Sequence, residues 1–393
     1  MKRRVTALLL PCGLLLALTA AAARAAGPAK IEVVARDPEG HGLLCRLGHK
    51  TVLMVQGTPE QMGSAHGRLL GESVRRLEEH VVYLVGAADS VRSGRWFFDS
   101  LAEIERRTTP YISPRFFQEC DALARTAGIS VRDARYANLF PERFHCSGLA
   151  VRGKATKDGR VLHARVLDYM RDIDLQDFAA VVIFMPDRGY RWMSLGYAGF
   201  LGSVTAMNEK GLAIGEMGGG GQGHWDGTPM SLLVRRIMEE AASVDEAIAI
   251  FHAARRTCEY YYVLSDKSRA MAALRCTTDE VTVLRPGQQD PRLPLVPDDT
   301  VFVSAGDRAR TLSSRLQQSY GRIDVPALVE IIKRPVAMQS NLHDAIFSPE
   351  TLEMWFADAG RHTPACDEPY SRCKLDDLIR FYQAAMAPAG PKP

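Results

Sequence analysis

The sequence predicts an α+β protein in which two sheets pack face to face with helices on the outside. Three observations carry that prediction. From residue 146 to residue 217 short strand-type runs succeed one another, separated by Gly or Asp-Gly turns, as in an antiparallel sheet. Two helical patterns follow at about 228–253, and then strand-type runs resume. Residues 72–145 and the C-terminal tail read as helical, so the helices have to cover the outer faces of the sheets.

The elements justify themselves in chain order. Residues 28–57 hold two or three strands, among them Ile31–Ala35 and Thr51–Gln56. Thr58, Pro59 and Gln61 then spell a helix start: an N-cap hydroxyl, a proline at the first helical position and a capping-box glutamine. Gly67 and Gly71 mark a break in that helix. Turns at Thr109-Pro110, Ser113-Pro114 and Gly128 divide the helical stretch up to residue 145. At Cys146 the character changes to strands, at Leu149–Gly153, Val161–Leu167, Ala180–Met185, Tyr190–Tyr197, Ser203–Met207 and Leu212–Met217. Thr228-Pro229 opens a helix with Leu232, Leu233, Ile237 and Met238 on one face, and Ser243 with Glu246 caps another. Strands follow at Tyr260–Leu264, Met271–Leu274, Glu280–Leu284 and Thr300–Ser304, and helices at Val325–Ile332 and Leu375–Met386. The glycine run Gly218–Gly221 lacks the lysine and Ser/Thr of a P-loop and reads as a plain loop.

Composition narrows the function. A net charge of +3, with no basic run interleaved with aromatics, argues against a nucleic-acid partner. The ten histidines are scattered without a zinc-type spacing, so neither a metal nor another cofactor is expected. Residues 1–25 have a basic start, an apolar stretch and a small-residue site ending at Ala25, which predicts a cleaved signal peptide and a secreted or periplasmic protein. Pro11 and Gly13 interrupt the apolar run, and no later segment is long enough to span a bilayer. Removing the signal removes Cys12 and leaves seven cysteines: Cys45, Cys120, Cys146, Cys258, Cys276, Cys366 and Cys373. Either six of them form three bridges, Cys258–Cys276 and Cys366–Cys373 among them, leaving Cys146 free, or all remain buried thiols.

Cys146 stands where helical character gives way to strands, and a thiol there needs a base to become a nucleophile. His343 is one candidate. The other is the α-amine of Cys146 itself, freed by cutting the preceding peptide bond; its ordinary pKa of about 7.7–8.0 lets it take a proton near neutrality. Arg165 and Asp168 lie near the end of the strand that returns beside Cys146. Being three apart, they can both address the thiol only if a bulge or strand end separates them. Asn208 sits at a hairpin turn, where turn chemistry alone explains an asparagine.

The run CSGLAVRGKATKDGRVLHARVLDY (146–169), together with AMNEKGLAIGEM (206–217), resembles the isopenicillin N (acyl-coenzyme A:6-aminopenicillanic acid) acyltransferase family of N-terminal-nucleophile linear amide hydrolases. Upstream, VQGTPEQMGSAHG (55–67) is similar to the N-terminal segment of that family, a block shared with phospholipase B-like proteins, and the resemblance spans roughly residues 50–360. It implies a four-layer αββα sandwich made as a proenzyme: residues 26–145 as the N-terminal chain and 146–393 as the catalytic chain, remaining associated after self-cleavage. It further implies Cys146 as nucleophile, Arg165 and Asp168 as its positioning neighbours and Asn208 as an oxyanion donor. The substrate would be a small N-acyl amide or peptide, cut through a thioester. Two departures stand out. His145 replaces the small residue that relatives carry before the cysteine, and Ser304-Ala305-Gly306 stands where a second asparagine is expected. An unprocessed Cys146–His343 peptidase and a non-catalytic binding protein are the alternatives.

Overall fold

The computed structural model describes residues 30–80, 83, 86, 97–139, 146–169, 171–220 and 223–387. The signal segment and His145 lie outside them. The chain opens with the strands β1 (Ile31–Arg36), β2 (Gly42–Leu47) and β3 (Lys50–Gly57). Then come the helices α1 (Pro59–Glu78), α2 (Phe97–Thr108), α3 (Pro114–Ala127) and α4 (Val131–Leu139). The hairpin β4 (Ser147–Gly153) and β5 (Gly159–Asp168) follows, then β6 (Ala179–Pro186), β7 (Trp192–Tyr197), β8 (Thr205–Asn208) and β9 (Ala213–Gly218). Helices α5 (Met230–Glu240) and α6 (Val244–Ala253) precede β10 (Tyr260–Ser265), β11 (Met271–Cys276), β12 (Val281–Leu284) and β13 (Thr300–Val303). The remainder is α7 (Gly306–Ser319), α8 (Val325–Ile332), β14 (Asn341–Ser348), β15 (Glu353–Asp358), β16 (Ser371–Lys374) and α9 (Leu375–Met386).

These strands form two sheets, one of ten strands ordered β1-β2-β3-β6-β7-β8-β9-β10-β11-β12 and one of six ordered β13-β4-β5-β14-β15-β16. All neighbours are antiparallel except β3 and β6. Strand alternation explains the layering. Leu53, Val55, Val182, Phe184 and Ile214 share one core with Met62, Leu123, Leu233 and Ile237 of α1, α3 and α5. On the opposite face, Val52, Met54, Val181 and Ile183 meet Ala345, Phe347, Met354 and Phe356 of the smaller sheet. The far face of that sheet, Leu149, Val151, Ala164 and Val166, packs on Leu312, Leu316, Leu328 and Ile331 of α7 and α8. Helices, sheet, sheet, helices: this is the αββα sandwich the sequence implies.

Local predictions hold where local chemistry decides. Thr58 accepts from Gln61 N while the Gln61 side chain accepts from Thr58 N, the complete capping box. Leu70 departs from helical geometry between Gly67 and Gly71, where the break was expected. A Cβ on Gly63 would stand 2.1 Å from the Glu119 carbonyl oxygen, so α1 needs glycine there to cross α3 so closely. Two expectations change. The strands after the helix pair do not start a second sheet; β10–β12 extend the larger one, and the smaller is built on the β4–β5 hairpin. Strands β14–β16 and helix α7 have no counterpart among the predicted elements.

Candidate active site

Cys146 immediately precedes β4 and is 6% exposed. Its strand enters the smaller sheet between β13 and β5, with Gly148 paired to Arg165. Two glycines make room here. A Cβ on Gly148 would lie 2.7 Å from the Met217 sulfur, and one on Gly215 would lie 2.8 Å from Arg165 Cδ. Arg165, with no exposed surface, therefore reaches across from one sheet to the other. Its Nη2 stands 3.7 Å from Glu216 Oε2. Arg165 Nη1 donates to the Val166 carbonyl, while Nε, Nη2 and both Glu216 oxygens make no hydrogen bond to nitrogen or oxygen among the described residues.

Asp168 ends β5, and the β5–β14 register slips between Asn341 and His343 opposite it. That strand end resolves the three-residue spacing. Arg165 approaches Cys146 with its side chain, whereas Asp168 turns its backbone N–H toward the sulfur. The Asp168 carboxylate points to the outer layer, where Oδ1 accepts from Met338 N at 2.8 Å and Oδ2 accepts from Arg308. Arg308 also donates to Val336 O at 2.7 Å and to Ser147 Oγ at 3.0 Å, and Ser147 Oγ lies 2.8 Å from Ser304 Oγ.

Burial dominates the electrostatics. It pushes the Cys146 thiol up to about 11 against the pull of Arg165, so the thiol is neutral at pH 7. It pushes Asp168 up to about 6, opposed by Arg308 and the Met338 N–H. It also raises Glu216 despite the facing arginine. At 3.7 Å and without a shared hydrogen bond, the attraction does not offset the loss of water.

The structure corrects two expectations. Asn208 is not at the thiol: it begins the β8–β9 turn, at the opposite end of β9 from Met217 and Gly218, which border the Cys146 cavity. Its amide donates to the Met238 and Ala241 carbonyls at 3.0 and 2.7 Å and accepts from Lys210 N and Leu212 N. No donor is left for an oxyanion, and the residue ties the turn to the end of α5. The three-bridge alternative also fails, because all seven described cysteines are free and buried. His343 is 1% exposed, with Nδ1 3.0 Å from Tyr197 Oη and Nε2 2.9 Å from Thr205 Oγ1. Burial and Arg165 hold its pKa well below the usual histidine value.

Two neighbours of the site were missed from sequence. Glu216 was visible as an acid inside the apolar run AIGEM, whereas Arg308 carries no local signal; Ser304 had been singled out only as a departure from the expected asparagine. Ser304, Ala305 and Gly306 line the cavity beside Cys146, so the first turn of α7 borders it. Among the described residues no cluster of His, Cys, Asp and Glu could hold a metal ion.

The buried Cys146 thiol thus has the Arg165 side chain and the Asp168 backbone N–H beside it. Residues 156–288 match the model of the acyl-coenzyme A:6-aminopenicillanic acid acyl-transferase family. That match contains Arg165, Asp168 and Glu216 and begins ten residues after Cys146. The chain is 25% identical to protein dcd1A of Dictyostelium discoideum over 350 residues, covering 77% of each chain. It is also similar to the Caenorhabditis elegans ortholog of N-acylethanolamine-hydrolyzing acid amidase (16% identity, TM-score 0.41, 52% of this chain and 93% of that one). Penicillin V acylase from Agrobacterium tumefaciens is a further structural neighbour (11% identity, TM-score 0.38, 55% and 83%).

Proposed function

We propose that the protein is an exported, self-processing thiol enzyme that breaks linear amide C–N bonds. In this reading residues 1–25 are removed as a signal, the bond before Cys146 is cut, and 26–145 and 146–393 stay together. The parallel pairing of β3 with β6 supports that association, because a cleaved N-terminal piece remains hydrogen-bonded inside the larger sheet.

The observation that carries the proposal is the place of Cys146, buried at the head of β4 with the Arg165 side chain and the Asp168 backbone N–H beside its sulfur. With its pKa raised to about 11, Cys146 needs a base close by, and both nitrogens of His343 are already engaged. Cleavage supplies that base as the α-amine of Cys146. The amine takes the thiol proton as Sγ attacks the amide carbon. The C–N bond then breaks, the leaving amine receives that proton, and a thioester remains. Water or an amine attacks the thioester and regenerates the thiol. Asp168 and Arg308 fix the strand end beside the amine, and Arg165 stabilises developing thiolate charge. In place of Asn208, backbone N–H groups in the first turn of α7, which have no partners within the helix, serve as oxyanion donors.

N-terminal sequencing of the purified protein tests this. A chain beginning at Cys146 is expected, with pieces of about 13 and 27 kDa apportioned from 43.3 kDa over 393 residues. An active protein with 145 and 146 still joined would instead support the unprocessed peptidase.

A further inference from the structure

The cavity over Cys146 runs outward along one row of the larger sheet. Met217, Tyr261, Arg275 and Thr282 pair in register across β9, β10, β11 and β12, and all four line it. The row begins next to the thiol strand, since Met217 fills the space left by Gly148. Strands lie about 4.8 Å apart, so the Arg275 Cα is about 10 Å from that of Met217. Tyr261 on β10 stands between them, and the rest of the wall includes the apolar Ala273, Leu284 and Phe302.

Arg275 and Arg292 close the outer end, and both are held in position. Arg275 Nε donates to Glu259 Oε1 at 2.8 Å, and the same oxygen accepts from Tyr261 Oη at 2.7 Å. Arg292 binds Asp290 through Nε at 3.0 Å and Nη2 at 2.6 Å. Their side chains are 29% and 55% exposed, so a solute reaches them. Arg275 Nη1 also stands 3.9 Å from Glu280 Oε2, too far for a hydrogen bond. A guanidinium has five N–H donors in a fixed fork, so these contacts orient each arginine without exhausting its donors.

We propose that this pair binds a carboxylate on the substrate, making the substrate class N-acyl amino acids and short N-acyl peptides rather than neutral N-acyl amines. The geometry suits the class: an extended chain covers about 3.3–3.6 Å per residue, which sets the carboxylate of an N-acyl dipeptide about 7 Å beyond the scissile amide. An arginine side chain anchored about 10 Å away by strand spacing reaches that point. The proposal rests on Cys146 as nucleophile and specifies what that site receives.

The test uses N-octanoyl-glycine, N-octanoyl-glycylglycine and their C-terminal carboxamides. Protection of Cys146 from iodoacetamide, located by peptide mapping, reports binding whether or not a compound is turned over. Each carboxylate is expected to protect at about tenfold lower concentration than its carboxamide, as a charge-assisted hydrogen bond gives. Arg275→Gln and Arg292→Gln should each bring that ratio toward one, and Arg292→Lys should recover part of it. Equal protection by acid and amide, an unchanged ratio in both Gln variants, or no protection by any of the four overturns the proposal. The nucleophile reading fails separately, as turnover that survives complete alkylation of Cys146.

Discussion

Of the polar contacts that cross the space between the sheets, two are built in opposite ways. His343 has both ring nitrogens within hydrogen-bond distance of a hydroxyl, Tyr197 on one side and Thr205 on the other. Arg165 and Glu216 are equally buried, yet Arg165 Nε and Nη2 and both Glu216 oxygens have no nitrogen or oxygen hydrogen-bond partner among the described residues; Arg165 faces the Cys146 sulfur and, at 3.7 Å, Glu216. A satisfied buried polar group stabilises a fold and needs no other explanation. An unsatisfied one costs about 1–3 kcal/mol and more when charged. Beside a thiol, such a group is free to respond to charge developing on the sulfur. In the proposed reading, chemistry lies on the Arg165 side and architecture on the His343 side, although histidine is the commoner catalytic base.

The largest effect should follow removal of the thiol itself. Cys146→Ala is expected to remain a single chain after signal removal, with no turnover, as read by gel mass and activity. A processed, active variant would sink the mechanism. Next comes Asp168→Asn, tested on already processed protein. Its carboxylate anchors the strand end through Met338 N and Arg308, so an activity loss on the scale of a misplaced general base, about 10²–10⁴, is expected.

Arg165→Met sharpens the contrast. It should lower kcat by about 10² or more, in the range of a lost electrostatic stabiliser. Yet the melting temperature should hardly fall, because an under-bonded buried charge is replaced by an apolar chain of similar length. A large drop in stability with kcat intact would reverse the assignment.

These contrasts also mark what sequence could and could not show. The β4–β5 and β8–β9 hairpins were legible because Asp158-Gly159 and Lys210-Gly211 punctuate apolar runs, and Thr58 announced α1 through side-chain chemistry within four residues. Strand β14 was not legible: all eight residues are buried, including Asn341, His343 and Asp344, so no alternation betrays it. Helix α7 has Ala305 as its N-cap and so no side-chain cap to announce it. Cys146, Arg165 and Asp168 fall on one hairpin, so their proximity follows from local pairing. Arg308 meets Asp168 across 140 residues of sequence, and only packing makes that contact. Asn208 misled for a related reason: it stands in the same motif as Glu216, but β9 separates the two ends of that motif.

A smaller effect concerns pH. Asp168 has its pKa raised to about 6 from 3.8, so the fold favours its neutral form. That contribution to stability is complete below pH 3.8 and is lost as pH rises through about 6. Activity has the opposite sign, since the ionised carboxylate is the form that Arg308 and Met338 hold. The kcat/KM profile should show an acid limb near pH 6. Arg308→Gln should move that limb upward by removing the favourable charge; a limb unmoved in this variant would detach Asp168 from the profile.

The smallest catalytic effect should come from His343→Ala in processed protein, and it is the sharpest way to break the comparison. If the α-amine of Cys146 is the base, the imidazole has no proton to carry, and its pKa well below the usual value already keeps it neutral. Turnover should stay within a few-fold of the parent. Stability should not. The change empties a fully enclosed site and strands the Tyr197 and Thr205 hydroxyls, which together should cost about 2–4 kcal/mol. Thermal melting reads that loss, and it should exceed the loss in Arg165→Met even though the latter is the catalytic lesion. Processing has to be verified first, because an uncleaved chain would imitate a catalytic defect. Should His343→Ala instead abolish turnover in fully processed protein while Asp168→Asn spares it, the hydroxyl-held histidine is the base after all, and the Cys146–His343 mechanism replaces the one proposed here.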